Sequence, residues 1–241
     1  MREPTGGLFP PANPLDNGPF IEGTIRKRSA LATKDPPPWP TGYFRLFITH
    51  IARNKAAAES IRQALLPHWV AAFVAHSQIR PTKEWLNEIL VALNTADALV
   101  ALMYRGYHSS NWTDQETGIA IGRGLLVVPV SFGETPYGFV GRYQAVQGRG
   151  KSWDELAQDL YQILLTHDQT KRAMASALVS RLSDSPSFDD AKHNMTLLSR
   201  VNYWDSRLTQ RAHAAVQTND QVSEAWGVPQ SIERLISKWT N

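Results

Sequence analysis

The sequence predicts a doubly wound α/β fold, with a parallel sheet of five strands covered by helices on both faces and a small C-terminal helical appendage. Three observations carry this. Apolar runs of strand length alternate with stretches whose apolar residues recur at helical spacing. The central runs are apolar at consecutive positions, as expected of strands buried on both faces. After about residue 167 no strand pattern recurs.

The elements follow in order. YFRLFIT (43–49) is a β-rich apolar run, and NKAAAESIRQALL (54–66) has helical spacing. HWVAAFVA (68–75) is a second strand, and PTKEWLNEILVALN (81–94) a helix opened by proline, threonine and an early glutamate. ADALVALMY (96–104) is a third strand, TDQETGIAIGRG (113–124) a helix closed by Gly124, and LLVVPVSF (125–132) a fourth strand. A loop, ETPYGFVGRYQA, precedes a short fifth strand around Ala145–Gln147. SWDELAQDLYQILL (152–165) is a helix with Ser152 as N-cap and Glu155 completing a capping box. KRAMASALVSRL, FDDAKHNMTLLSRV, DSRLTQRAHAAV and PQSIERLISKW are short amphipathic helices, with Trp204, Trp226 and Trp239 as their expected core. Residues 1–40 hold nine of the fifteen prolines and read as an extended arm. The expected division is an arm over 1–40, an α/β domain over 41–167 and a helical region over 168–241.

Composition narrows the function classes. The 241 residues are 42% hydrophobic, enough for a proper core. A net charge of +3 is too balanced to call for nucleic acid, and RKR at 26–28 is the one compact basic run. The absence of cysteine excludes disulfides, thiolate metal sites and a cysteine nucleophile. No apolar run approaches the ~18 residues of a membrane span, and MREPTGGLFPP lacks a secretory h-region. The expectation is a cytoplasmic protein without a membrane partner.

Common users of this architecture leave other marks. No G-x-G-x-x-G follows the first strand and no phosphate-binding P-loop occurs. The first strand ends in Thr49-His50, where a phosphoacceptor site would have carboxylates, and GETPYG is not a nucleophile elbow. The histidines 50, 68, 76, 108, 167, 193 and 213 show no close metal spacing, so no metal is expected. His68 and His76 flank a strand and fit surface or core-edge positions.

In such folds ligands gather at the carboxyl ends of the strands. SNWTDQETG (110–118) begins in one of those loops and leaves two readings of Glu116 open. Thr113 and Glu116 fit the S/T-x-x-E capping box. Alternatively, Glu116 is there for chemistry. Asp114 and Glu116 are two apart, so a helix points them in different directions and they form no dyad. Trp112 and Glu116 are four apart and share a side.

FITHIARNKAAAESIRQAL resembles the strand–loop–helix opening of Toll/interleukin-1 receptor (TIR) domains. AAFVAHSQIRPTKEWLNEILVALNTADALVALM is similar to the second strand, BB loop and third strand of their bacterial branch. SSNWTDQETGIAIGRGLLVVPVSFGETPYGFVGRYQAVQG resembles that branch's S-x-W-x-x-x-E signature, Gly/Ala-rich helix and G-x-x-P-x-G-F loop. The resemblance spans roughly 43–165 with its motifs in order. It departs at Thr49-His50-Ile51, where S-H-S is usual, and at Ser77-Gln78, where acidic residues are frequent.

The resemblance implies a flavodoxin-like, TIR-type sheet and an enzyme that cleaves NAD+ at the nicotinamide–ribose bond, as hydrolase or cyclase. NAD+ enters as substrate, and no cofactor is implied. The family's catalytic glutamate, four residues after the signature tryptophan, falls on Glu116. The bacterial branch serves anti-phage defence through a nucleotide signal read by an effector or through NAD+ loss. Self-association through the BB loop is implied as well, and a non-enzymatic TIR adaptor or a deoxyribosyltransferase-like enzyme are the competing readings.

The chemistry fits one carboxylate. Nicotinamide leaves as a neutral group and needs no acid, whereas ordinary glycosidases use two carboxylates because their leaving group is poor. The charge that develops is an oxocarbenium-like cation, which a neighbouring carboxylate stabilises. Thr49, His50 and Ile51 follow the first strand as candidate lining of the nucleotide pocket. Arg53 and Arg80 are candidate pyrophosphate donors or plain surface residues. Trp85 stacks on a base, meets another protomer or packs in the core. Ser110 caps the loop or touches a ribose, and Trp112 shapes the ribose–nicotinamide site or closes the sheet end.

Overall fold

The computed structural model describes residues 39–74 and 85–240. Five strands are described: β1 (Phe44–Thr49), β2 (Val70–Val74), β3 (Ala98–Met103), β4 (Leu126–Ser131) and β5 (Val146–Gln147). All pair in parallel, in the order β2-β1-β3-β4-β5. This is the doubly wound order of flavodoxin-like sheets, with its switch point between β1 and β3.

Consecutive apolar residues are required because each of the strands β1 to β4 faces two cores. Phe44, Leu46 and Ile48 of β1 point to one, and Phe47 points to the other. In β3, Ala98, Val100 and Leu102 alternate in the same way with Leu99, Ala101 and Met103. The helices α1 (Lys55–Leu65) and α4 (Trp153–Thr166) cover the first face, and α2 (Trp85–Thr95) and α3 (Asn111–Gly122) the second. Each fully buried leucine, such as Leu102 or Leu160, contributes about 2 kcal/mol of burial free energy.

The predicted capping box of α4 is formed. Ser152 Oγ accepts from Glu155 N at 3.2 Å, and the Glu155 carboxylate accepts from Ser152 N at 2.8 Å. The predicted Gly124 stop also holds: Gly124 takes φ 71°, a region L side chains rarely enter, just past the end of α3.

The C-terminal region is helical: α5 (Lys171–Ser183), α6 (Phe188–Leu198), α7 (Ser206–Thr218), a single turn α8 (Asp220–Ser223) and α9 (Val228–Thr240). Its core is continuous with the α1–α4 face, through Met174, Leu178 and Leu182 of α5. The Trp69 indole N–H, at the entrance to β2, donates to Asn194 Oδ1 of α6 at 2.7 Å, and the Arg181 guanidinium of α5 lies 4.3 Å over the same ring.

One expectation fails here. Trp226 is 91% exposed and Trp239 is also exposed; only Trp204 is half-buried, with its N–H on Thr209 Oγ1 at 2.9 Å. Trp226 stands in the turn before Gly227, outside the apolar face of either neighbouring helix, and the core is filled by aliphatic side chains. A Cβ added at Gly118 or Gly122 would meet nothing within 4 Å, so neither glycine serves a close approach. Both lie on the solvent side of α3.

Candidate functional site

The site is set by where α3 begins. Gly106, at φ 86°, turns the chain after β3 into a short 3-10 turn, Tyr107–Ser109. Ser110 then stands as the N-cap of α3, with extended backbone and no side-chain cap bond. Helix counting therefore puts Thr113 in the first turn and Glu116 one turn further in. The expected Thr113–Glu116 capping box is not made. Thr113 Oγ1 instead donates back to the carbonyls of Tyr107 (2.9 Å) and Ser110 (3.0 Å), locking the turn onto the helix.

That register places Thr113, Glu116 and Ala120 on the buried side of α3. Glu116 is only 5% exposed. Burial is the main influence on its carboxyl and pushes the pKa up to about 7, against a smaller opposing effect of a hydrogen bond from the Thr49 side chain. Thr49 is the last residue of β1 and fully buried. Its hydroxyl also accepts from the Tyr107 hydroxyl at 3.4 Å. Tyr107 O–H in turn lies 3.1 Å from Thr117 Oγ1. Burial pushes the Tyr107 phenol up to about 12, so it stays protonated and able to donate.

Asp114 belongs to a different environment. It is exposed and accepts a hydrogen bond from the Tyr137 hydroxyl. Burial, and then this bond, raise the pKa of Tyr137. The two lie at the rim of a cavity of about 250 Å³ between α3 and the loop after β4, lined also by Met103, Tyr107 and Phe139. The two carboxylates thus form no dyad, as their spacing predicted.

The neighbouring loops are tied together. Arg53 donates through its guanidinium to the Arg105 carbonyl. Glu134 accepts from Gly106 N at 3.2 Å and faces His108 Nδ1 at 3.5 Å. Tyr104 stacks on Phe132 with ring centroids 4.2 Å apart. Among the described residues no group of three or more His, Cys, Asp or Glu is placed to hold a metal ion.

A family model described as the TIR domain matches residues 46–165. These residues form a TIR domain. Among solved structures, the chain is similar to the TIR domain of the Toll-related receptor TRR-2 from Hydra magnipapillata. The identity is 14% and the TM-score 0.41, with 48% of this chain and 98% of that chain covered. It is also similar to the TIR domains of the activated Roq1 resistosome directly recognizing the pathogen effector XopQ. Here the identity is 15% and the TM-score 0.34, with 81% of this chain and 98% of that chain covered. No curated protein matches the chain.

Within the TIR domain, the sequence-derived residues divide into three groups. Thr49, His50 and Glu116 are buried at the carboxyl end of the sheet, and Thr49 bonds directly to Glu116. Ile51, Arg53 and Ser110 line the surrounding loops: the Ile51 carbonyl accepts from Asn54 N at 2.9 Å, Arg53 braces Arg105, and Ser110 holds the N-cap position of α3 without a side-chain cap bond. Trp112 is 41% exposed on the first turn of α3, so its indole does not close the sheet end. Arg80, with Ser77-Gln78 and the BB-loop segment, lies outside the described residues, and Trp85 is the first residue of α2.

Nothing local in the sequence marks Tyr107 or Thr117 as part of the site. Tyr104 and Tyr107 look alike in YRGYHSSNW; only the folded chain sends one against Phe132 and the other to Thr49. A neutral threonine directly after the glutamate carries no local signal.

Proposed function

We propose that this TIR domain cleaves NAD+ at the nicotinamide–ribose bond, with Glu116 as the catalytic carboxylate. The observation that carries the proposal is a single carboxyl, buried to 5% exposure at the carboxyl end of the sheet, with its pKa pushed up to about 7. A carboxylate already stripped of water interacts more strongly with a developing cation than a hydrated one does.

The bond from ribose C1′ to the nicotinamide nitrogen breaks with its electron pair staying on that nitrogen. The positive ring becomes neutral nicotinamide, and the charge passes to the ribose as an oxocarbenium-like cation. Ionised Glu116 stabilises that cation. Water then adds at C1′ and loses a proton, giving ADP-ribose, or a nucleophile of the same molecule adds and gives a cyclised product. No general acid is needed, in keeping with the separation of Asp114 from Glu116.

Ionised Glu116 is the working form. Turnover therefore rises as pH rises through about 7, and a cationic substrate bound beside it favours loss of its proton. Thr49, His50 and Ile51 line the nucleotide, Arg53 and Arg80 meet the pyrophosphate, and Ser110, Trp112 and Trp85 frame the remaining contacts. Assembly of TIR domains through the BB loop switches the activity on, and its biological setting is bacterial anti-phage defence, by a nucleotide signal or by NAD+ loss.

Nicotinamide release from NAD+ by concentrated, assembled protein is the test. Wild type is expected to turn over, and Glu116→Ala to fall to background. Equal release by both overturns the assignment; no release by either, with assembly intact, leaves an adaptor.

A further inference from the structure

We infer that Tyr107 is a positioning residue for Glu116, acting through a directional hydrogen-bond chain, Thr117 to Tyr107 to Thr49 to Glu116, that holds the carboxylate in its ionised form. This rests on the proposed role of Glu116 and extends it to how that group is kept ready.

Donor counting sets the direction. An ionised carboxylate only accepts, so the Thr49 hydroxyl must give its single proton to Glu116. Thr49 can then only accept from Tyr107, as the 3.4 Å bond is oriented. The phenol has one proton as well, so at 3.1 Å from Thr117 it accepts and Thr117 donates. Every link therefore points toward the charge. Each donor polarises the next, which strengthens the final bond to Glu116. Protonation of Glu116 removes that demand, because the acid is itself a donor.

The chain joins three parts of the fold: the end of β1, the turn after β3, and α3. Thr113 fixes the turn through the Tyr107 carbonyl at 2.9 Å. Position and ionisation of the carboxylate thus depend on the same short segment. Among the described residues, the elements packed against α3 bring the following ionisable groups. The turn of Tyr107 also brings His108, facing Glu134; β1 brings Arg45, bonded to Asp97, and His50 follows Thr49; α2 brings Glu88; α3 itself brings Asp114, bonded to Tyr137, and ends at Arg123; β3 and β4 bring none.

The test observes Glu116 directly. Protein carrying 13C at glutamate carboxyls is titrated by NMR, with Glu116→Gln identifying the signal, and nicotinamide release is followed over the same pH range. Thr49→Val is expected to raise the midpoint of Glu116 by about one pH unit or more, through loss of a hydrogen bond to the charged form. Tyr107→Phe and Thr117→Val each raise it by about half a unit, through loss of polarisation alone. Thr49→Ser restores the wild-type midpoint. Thermal melts confirm that each variant is folded, and Tyr107→Phe keeps the ring, so packing alone does not move the midpoint. An unchanged midpoint in both Tyr107→Phe and Thr117→Val overturns the chain. If the midpoints move as expected but wild type releases no nicotinamide, the NAD+ reading fails and the chain stands.

Discussion

Two helices of this protein open with the same signature, Ser152-x-x-Glu155 and Thr113-x-x-Glu116, and use it in opposite ways. At α4 the serine is the N-cap, the glutamate closes the box, and backbone and side-chain bonds from Ser152 hold the exposed Glu155 carboxyl below its usual range. At α3 the helix starts three residues earlier, at the Ser110 cap, so the same letters fall one turn deeper. Glu116 becomes a buried carboxyl with its pKa pushed up to about 7. The difference lies outside the motif. The 3-10 turn at Tyr107 offers its carbonyl to Thr113, and that bond replaces the cap. A local signature specifies which bonds are available; the neighbouring chain decides which of them form.

The comparison can be broken most sharply by exchanging charge for a neutral isostere at both sites. Glu116→Gln is expected to lower nicotinamide release by at least about 100-fold, the cost of losing a preorganised electrostatic group. Glu155→Gln, at the conventional cap, is expected to leave release unchanged.

Stability sharpens it next. Glu116 binds its proton more tightly folded, at about 7, than at the ordinary 4.5. Its contribution to stability is thus full below about 4.5 and is lost as pH rises through about 7. Above that range wild type is expected to be less stable than Glu116→Gln, by on the order of 3 kcal/mol, and the gap closes toward pH 5. Denaturant titrations at the two pH values measure it. Glu155, with a lowered pKa, has the opposite sign: its favourable effect is present above the usual carboxylate range and is lost on acidification.

Smaller effects come from the hydroxyls. Thr113→Val removes the bond that sets the α3 register and is expected to cost about 1–2 kcal/mol, because the Tyr107 carbonyl loses its side-chain donor. Release should fall with it, since Glu116 loses its placement. Ser152→Ala costs about 1 kcal/mol, the usual value of an N-cap, and leaves release at the wild-type level.

Much of the fold was legible from the sequence because it depends on burial over long runs. The strands of the sheet, the alternation with helices, the α4 capping box and the Gly124 stop each follow from local chemistry or periodicity, and each is present. The start of α3 was missed because SNWTDQE holds several acceptable caps, and the choice among them is made by Tyr107 and Gly106. Residue type alone favours the core for Trp226, yet its place in the turn before Gly227 leaves it 91% exposed. In the site, Thr49 is legible as the end of a strand, and Glu116 as the acid four residues after Trp112 in the segment that follows the third strand. Tyr107 and Thr117 are not, since their link to Glu116 runs through contacts between residues far apart in the chain.

The central claim is that buried Glu116, in its ionised form, drives cleavage of NAD+. The most direct measurement is nicotinamide release against pH for assembled wild type and Glu116→Gln. Wild-type release that rises with a midpoint near 7, beside a Glu116→Gln profile flat at background, is the predicted result. Release by Glu116→Gln equal to wild type across the range would contradict it.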